Sequence, residues 1–410
     1  MRISADEITS NPVFLKLDIF SRGLRIDESL KESEPVRIFR TRAGLGSGIE
    51  LIFDNDIRVN APVMEKFARN SPYKLTDIDG NLKIINENTG KSSAFRIKIF
   101  NPPGFYSKKT SSGKTMSRIA VMQGSVLSVY LGEICGFWRD GAMKRCRFCT
   151  TGINVGTNEE IEKSEEDIME VIREAHSECG ITFVHFNSGY NSLKDTSGFF
   201  RLLERIKRET GLLTGIQFPP YKDLKTYNRF RDAGADHVSF CIEFGSEKVF
   251  REVCPGKFSD IGQRAYLDAI EYCAGIFPSG SVSGEIIAGI EEVEETKKII
   301  TEITSRGAFP TICVFRPLSG SAMEELHPPS FETMSEILGF AYNQMVKNNI
   351  PTGLAPGINV SIIITPVESR IFAENNRLRD FTWYRYHFIN RLKQKAAAFY
   401  IKNIRIRRRK

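Results

Sequence analysis

Three cysteines, Cys135, Cys146 and Cys149, lie within one stretch of fifteen residues, CGFWRDGAMKRCRFC. Thiolates bind zinc and iron–sulfur clusters, so the group predicts a metal site. A structural zinc site takes four ligands, often as two close pairs, and a fourth here would come from His176, Cys179 or further away. A [4Fe–4S] cluster can be held by three thiolates, which leaves one iron free. The cysteines alone are compatible with either metal.

Ten residues separate the first two cysteines, and two separate the last pair. Closing eleven chain steps instead of four costs about 0.9 kcal/mol more in loop entropy. That cost is small beside the roughly 10 kcal/mol that metal binding provides. Gly136 and Gly141 let the loop fold back on itself. The long spacing therefore permits a cluster without proving one.

Apolar strand-like runs alternate with segments of helical period from Val126 onward. Six such strands, each separated from the next by a helix, predict an α/β fold with a parallel sheet, a full or partial (β/α) TIM-type barrel. Chemistry in these folds sits at the C-terminal ends of the strands. The cysteine group follows the first strand, VLSVYL, and is therefore expected at that end.

Changes in the residue pattern along the chain divide it into three predicted parts. Residues 1–115 mix short apolar runs with turns and predict a small, mostly β N-terminal domain. Residues 116–325 hold the barrel core, and residues 326–410 form a helical C-terminal extension with a basic tail. The polar segment Tyr106–Arg118 is a candidate linker or flexible lid.

The composition, 41% hydrophobic and 26% charged over 410 residues, is that of a globular protein. No signal peptide and no run near the roughly 18 apolar residues of a membrane span is evident, so we expect a cytoplasmic protein without a membrane span.

The net charge is +7, and the last twenty residues carry nine Lys or Arg and no acid. That tail is a candidate surface for tRNA, an acidic protein or a membrane, or simply a solvated helix end.

The aromatic residue before the last cysteine of CRFC, together with its place after the first strand, resembles the radical S-adenosylmethionine (radical SAM) superfamily. That family usually has three residues between its first two cysteines, and this chain departs from it with ten. The resemblance implies that Cys135, Cys146 and Cys149 hold a [4Fe–4S] cluster whose open iron binds S-adenosyl-L-methionine (SAM).

Later stretches resemble the segments that contact SAM in that family. Their motifs are most similar to those of the biotin synthase and [FeFe]-hydrogenase maturase branch. FNSGYN, with Ser188 and Gly189, resembles the turn that receives the SAM amino group. By likeness, Glu243, with Cys241 beside it, binds the ribose hydroxyls, and Arg264 pairs with the SAM carboxylate. Read singly, these residues also fit an ordinary turn, salt bridge or solvated helix position.

Two further stretches, EIIAGIEE and FRPLSGSAMEEL, resemble the fifth and sixth strand segments of the same branch, although Glu285 stands where the family has glycine. Phe148 and Ile287 are the predicted walls of an apolar adenine slot. His185 and His237 lie on or beside the second and fourth strands. They either face the interior cavity of the barrel or are hydrogen-bonded residues of the folded core. The positions of Cys241 and Cys313 do not establish an auxiliary cluster.

The resemblance implies an enzyme that reductively cleaves SAM to a 5′-deoxyadenosyl radical, which abstracts hydrogen from a substrate. Cofactor biosynthesis and sulfur insertion are the reactions that this branch suggests. The implied partners are a small-molecule or carrier-bound substrate and an electron donor such as ferredoxin or flavodoxin. The alternative is a zinc-stabilised nucleic-acid-binding protein that uses the basic tail.

Overall fold

Three helices and two small sheets form the N-terminal region. The computed structural model describes residues 3–33, 39–40, 47–190, 196–353, 358–376 and 381–406. The elements up to residue 99 are α1 (Ala5–Ser10), α2 (Pro12–Arg22), β1 (Arg25–Ile26), α3 (Glu28–Ser33), β2 (Phe39–Arg40), β3 (Ser47–Phe53), β4 (Ile57–Pro62), β5 (Tyr73–Ile78), β6 (Asn81–Asn86), β7 (Lys91–Ser92) and β8 (Ile97–Ile99). One sheet has the order β1-β5-β6-β7, and the other is β2-β3-β4 with β8 also paired to β3.

Helix α2 is a feature that the mostly β prediction for this region missed. The Asn11 side chain caps it by accepting the N–H groups of Val13 at 2.9 Å and Phe14 at 3.3 Å, and Pro12 occupies the first turn. Its buried residues include Leu15 and Leu17. An eleven-residue helix is marginal by itself, so its burial against the rest of the chain stabilises it.

A curled sheet of seven strands carries the rest of the fold. Its elements are β9 (Val121–Gln123), β10 (Val126–Leu131), α4 (Gly136–Arg139), α5 (Thr151–Asn154), α6 (Glu165–Cys179), β11 (Phe183–Ser188), α7 (Ser197–Thr210), β12 (Leu213–Gln217), α8 (Thr226–Ala233), β13 (His237–Glu243), α9 (Glu247–Val253), α10 (Pro255–Asp260), α11 (Gln263–Ile276), β14 (Val282–Ala288), α12 (Val293–Ser305) and β15 (Phe309–Val314).

The strand order is β15-β14-β13-β12-β11-β10-β9, with β10 to β15 parallel and β9 antiparallel to β10. The six predicted strands are all present, and the sheet is a half-barrel, which confirms the partial TIM-type barrel. The helices cover its outer face because their apolar residues share one side, as in α7, where Phe199, Leu203 and Ile206 are buried.

The segment 358–363 spans the two edges of the half-barrel. Asn359 exchanges hydrogen bonds with Ser125 beside β10, both at 2.8 Å. Ile362 and Ile363 pack against Cys313 of β15. The Ser361 carbonyl accepts the N–H of Asn60 on β4, 2.8 Å away, so the N-terminal sheet supports this closure.

The N-terminal region and the barrel share one hydrophobic cluster, which includes Leu51, Phe186 and Met334. The proposed boundary near residue 115 therefore does not separate two cores. The candidate linker is tied down: Thr110 Oγ1 and Lys114 Nζ both donate to the buried Asp167 of α6, at 2.8 and 2.9 Å. These contacts make the segment part of the packed structure rather than a free lid.

The C-terminal extension is helical, as predicted. It contains α13 (Phe331–Lys347), a 3₁₀ segment (Glu368–Asn376), α14 (Phe381–Tyr400) and a π-helical turn (Ile401–Arg405). Arg405 forms two hydrogen bonds of 2.7 Å with Asp236, immediately before β13. The last four residues of the basic tail lie outside the described residues. Among the described helices, none combines the length and hydrophobicity needed to cross a membrane.

Candidate metal and cofactor site

The three cysteines lie in the loops beyond the C-terminal end of β10. Cys135 directly precedes α4, and its Sγ accepts the Tyr190 N–H at 3.3 Å. Cys149 Sγ lies 2.9 Å from Thr151 Oγ1 and accepts the Thr151 N–H at 3.4 Å. Backbone N–H groups directed at sulfur are one of the ways in which proteins tune bound iron–sulfur clusters.

The ten-residue insertion is a folded loop rather than an extended one. Phe137 stacks on Tyr190 with ring centroids 4.0 Å apart. The Arg145 guanidinium lies over the Trp138 ring, 5.2 Å from its centroid. Gly141 has φ +91°, a conformation that favours glycine. These contacts bring Cys146 back toward Cys135, as the glycines predicted.

The thiols are near enough to influence one another. Burial, together with the neighbouring Cys146 and Cys135, raises the pKa of Cys149 to about 12. Within the described part of the chain, no three His, Cys, Asp or Glu side chains are placed to hold a single metal ion. A [4Fe–4S] cube binds each thiolate at a separate iron. The donor set, three thiols with N–H groups directed at two of them, fits such a cluster.

Cys254 is a neighbour of this site that the sequence did not reveal. It is fully buried and directly precedes α10. A hydrogen bond from its thiol lowers the pKa of Cys146. The Arg147 N–H also donates to the Val253 carbonyl at 2.9 Å, which joins the cysteine loop to the end of α9. Cys254 is far from Cys146 along the chain, so no local sequence pattern could predict their contact.

Ser188 and Gly189 lie at the C-terminal end of β11, against the cysteine loop. A β-carbon on Gly189 would lie 2.5 Å from Cys135 Cβ and 3.0 Å from the Tyr130 hydroxyl oxygen. Only glycine allows the backbone to approach Cys135 so closely. The structure thus brings the predicted amino-group turn to the first cysteine. The SAM contact itself stays a prediction.

Glu243 ends β13 in a strained conformation, with φ +70° and a register shift between Cys241 and Glu243. It is buried and forms an ion pair with Lys257, whose Nζ also donates to the Cys241 carbonyl at 3.0 Å. Burial lowers the pKa of Lys257, but the combined attraction of Glu243, Tyr266, Cys241 and Cys146 outweighs it, and the net shift is upward. Strained residues of this kind concentrate at functional sites. No sequence motif indicated Lys257 as the partner of Glu243.

Arg264 is the one predicted SAM contact that the structure does not gather with the others. Its side chain is 75% exposed, and its Nε lies 2.7 Å from Asp268 on the same helix. The second residue of α11 is at the helix end, so a long side chain there has freedom to move. Its pairing with the SAM carboxylate stays a prediction.

Phe148 and Ile287 lie together, while their role as the walls of an adenine slot stays a prediction. They line a cavity of about 30 Å³ whose walls also include Cys313 and Ile362. Cys313 and Ile362 in turn line a much larger cavity inside the barrel, of about 660 Å³. The two spaces therefore share a wall.

The larger cavity has a polar inner face. Its lining includes His185, Asn187, Gln217, His237 and Glu285, which point inward from neighbouring strands. Both histidines thus face the cavity. Asn187 Oδ1 and His237 Nδ1 are buried without a hydrogen-bond partner among the described residues. Buried polar atoms of this kind are usually satisfied, so the arrangement leaves room for a ligand's polar groups.

Glu285 is the most unusual of these side chains. The Cys241 thiol contacts its Oε2 at 3.6 Å. Burial raises its pKa to about 7, and the nearby Glu243 adds to the shift. Its closest partners, Cys241 and Gln217, are neutral. In the sequence it appeared only as a departure from the family's glycine; its position in the barrel interior emerged from the fold.

Comparisons with known proteins identify a family for part of the chain. Residues 140–303 match the model of the radical SAM superfamily, whose enzymes use a [4Fe–4S] cluster and SAM. A bacteriochlorophyllide c C-7(1)-hydroxylase of Chlorobaculum limnaeum is 26% identical over 125 residues, 30% of this chain and 31% of that protein. The chain thus matches about a third of that relative's length.

Two solved structures are also similar. Methylornithine synthase (PylB) has a TM-score of 0.42 at 16% identity, over 64% of this chain and 81% of its own. HydG, a maturase of the [FeFe]-hydrogenase, has a TM-score of 0.41 at 11% identity, over 55% of this chain and 51% of its own. On the strength of the family match, residues 140–303 of this chain form a radical SAM domain.

Proposed function

We propose that this chain is a radical SAM enzyme that removes hydrogen from a small molecule held in the barrel cavity. The proposal is supported by the closeness of the predicted cofactor site to the cavity. The cysteine loop, Gly189 and Glu243 lie at the C-terminal ends of the strands, and the slot between Phe148 and Ile287 shares a wall with the 660 Å³ cavity. In radical SAM chemistry the cofactor and the substrate must be adjacent.

The chain's own residues would divide the work. Cys135, Cys146 and Cys149 would hold the cluster, and Phe148 and Ile287 would flank the adenine. When bound, the cluster and SAM supply an electron-driven cleavage that yields a radical able to remove hydrogen from an unactivated carbon. The barrel would exclude water and other hydrogen donors from that step.

SAM recognition would rest on the strand ends. The backbone at Ser188 and Gly189 would receive the amino group, and Glu243 would bind the ribose hydroxyls. Lys257 fixes the Glu243 carboxylate from one side. Arg264 would reach the SAM carboxylate only by releasing Asp268, and exposed ion pairs of this kind are weak.

The cavity favours a small-molecule substrate, or a small group on a carrier, over a folded RNA. Its volume of about 660 Å³ lies within the range of small-molecule pockets. The unpartnered Asn187 Oδ1 is an acceptor, and Glu285 accepts or donates according to its protonation. We therefore expect a substrate with N–H or O–H groups on an otherwise apolar body.

The matched relative supports a reaction at a carbon–hydrogen bond, because its name describes a hydroxylase. The reaction outcome for this chain, an electron donor such as ferredoxin or flavodoxin, and the cytoplasmic location stay predictions. The comparisons do not support the nucleic-acid-binding alternative.

Anaerobic reconstitution tests the proposal. We expect about four irons and four sulfides per chain, and release of 5′-deoxyadenosine from SAM when dithionite is added. Cys149→Ala should lose both, whereas Cys179→Ala, at an exposed position, should retain both. One tightly bound zinc with no SAM cleavage would instead support the zinc-stabilised alternative.

A further inference from the structure

The C-terminal helix α14 carries an apolar stripe that faces solvent. Tyr384, Phe388, Leu392 and Phe399 are 59%, 66%, 53% and 63% exposed. Their spacing of four, four and seven residues places them on one side of the helix. We call these four residues the apolar stripe. Single exposed apolar residues are ordinary, but a continuous row on one helix indicates an interaction surface.

The opposite side of α14 is already packed. Trp383 and Tyr386 are buried in a cluster with Tyr342, and the Tyr386 hydroxyl donates to the Ile350 carbonyl at 2.5 Å. Arg405 anchors the far end to Asp236. Both faces of the helix are thus apolar, and only one is covered by the rest of the described chain. The packed side of α14 and the Arg405–Asp236 pair therefore hold the apolar stripe toward solvent.

The charged residues of the segment that carries the stripe are all of one sign. Residues 381–406 contain six Lys or Arg and no Asp or Glu. Arg391 and Lys395 are exposed and fall on the same side of the helix as the stripe. Long basic side chains of this kind lie along an apolar surface and extend their charges outward. Aromatic and leucine side chains flanked by lysine and arginine fit the boundary between lipid chains and anionic headgroups.

The position of α14 suits such a surface. Ile401 packs against the cluster formed by Val126, Phe183 and Leu213, the first residues of three parallel strands. The helix end therefore lies at the N-terminal ends of the strands, opposite the cysteine loop. A bilayer bound there would leave the cysteine loop accessible from solution.

We propose that the apolar stripe docks α14 in the plane of an anionic lipid bilayer surface. The stripe would enter the headgroup region, and the surrounding lysines and arginines would contact lipid phosphates. This is peripheral binding by a helix that lies on the membrane. It is independent of the proposed reaction, since it rests on a different face of the molecule.

Vesicle flotation with the full-length chain tests the docking. We expect binding to phosphatidylcholine vesicles that contain about 30% phosphatidylglycerol, little binding to pure phosphatidylcholine, and weaker binding as salt is raised. The variant with Phe388→Ser, Leu392→Ser and Phe399→Ser should partition at least about tenfold less. A matched control with Ile78→Ser, Ile161→Ser and Leu326→Ser, exposed apolar residues elsewhere, should bind like wild type.

Thermal unfolding would verify that both variants are folded, since all six positions are exposed. Failure of the wild type to float with anionic vesicles would overturn the proposal, and so would equal binding by the stripe variant. A dimer in light scattering that the stripe variant loses would assign the stripe to a second copy of the chain. RNA binding that depends on the stripe, without vesicle binding, would assign it to nucleic acid.

Discussion

Gly189 and Cys135 approach so closely that a β-carbon on Gly189 would lie 2.5 Å from Cys135 Cβ and 2.7 Å from Cys135 Cα. The Tyr190 N–H, one residue on, donates to Cys135 Sγ at 3.3 Å. The end of β11 therefore sets the position of the first cysteine. Gly189 and Cys135 are far apart in the chain, but a change at one therefore affects the position of the other.

Gly189→Ala should displace Cys135 because the clash involves backbone and Cβ atoms that cannot rotate away. We expect lower iron content after reconstitution and a destabilisation of about 1–3 kcal/mol, typical of overpacking. Gly275→Ala is the matched control, since no atom lies within 4 Å of its added β-carbon in α11. It should be neutral or slightly stabilising. Equal iron content in both variants would contradict this account.

Cys146→Ala should abolish cluster binding, because it removes one of three thiolates. Cys254→Ala should retain the cluster, with some loss of stability, since it removes a buried thiol beside Cys146. Iron content and the absorbance of the reconstituted proteins measure both effects. Loss of the cluster in Cys254→Ala would make Cys254 a required ligand or support, and our assignment of three ligands would then be wrong.

Lys257→Met should destabilise the fold, because it leaves the buried Glu243 carboxylate without its cation. Breaking one side of a buried ion pair costs about 3–5 kcal/mol. Urea unfolding of the double variant Lys257→Met/Glu243→Gln should recover part of that loss. Lys298→Met, at an exposed pair with Glu295, should cost at most about 1 kcal/mol. Similar losses in the two single variants would refute a special role for the Lys257 pair.

Glu285 should make stability depend on pH. Its pKa is about 7 in the folded chain because of burial and the nearby Glu243, against an ordinary value of 4.5. Between those two values the folded chain binds more protons than the unfolded chain, so stability falls as the pH rises from 4.5 to 7. The full loss is about 3 kcal/mol.

Urea unfolding of wild type and Glu285→Gln across that pH range isolates the contribution of this carboxyl. The difference in unfolding free energy between them should drift in one direction as the pH rises and become constant above about pH 8. The other groups around Glu285, which are Cys241, Gln217, Glu243 and Lys257, are common to both proteins. A difference that does not change with pH would show that Glu285 keeps an ordinary pKa.

The order of strands and helices in the barrel was predictable because each element is encoded locally. The helix predicted over EEDIMEVIREAHSEC is α6, with Ser164 and Asp167 forming its capping box. Helix α2 was not predicted, since a short helix depends on tertiary burial. The linker prediction failed because Asp167, which anchors that segment, lies far along the chain.

The sequence by itself predicted radical SAM chemistry with a [4Fe–4S] cluster and SAM, since the cysteine group and the alternation of strands and helices are read along the chain. Tertiary structure decided which side chains meet: Cys254 beside Cys146, Lys257 on Glu243, and Glu285 inside the barrel. It also decided that one face of α14 is buried while the other remains exposed. Local patterns report periodicity and composition, whereas these pairings depend on how distant segments pack, which no short window of sequence contains.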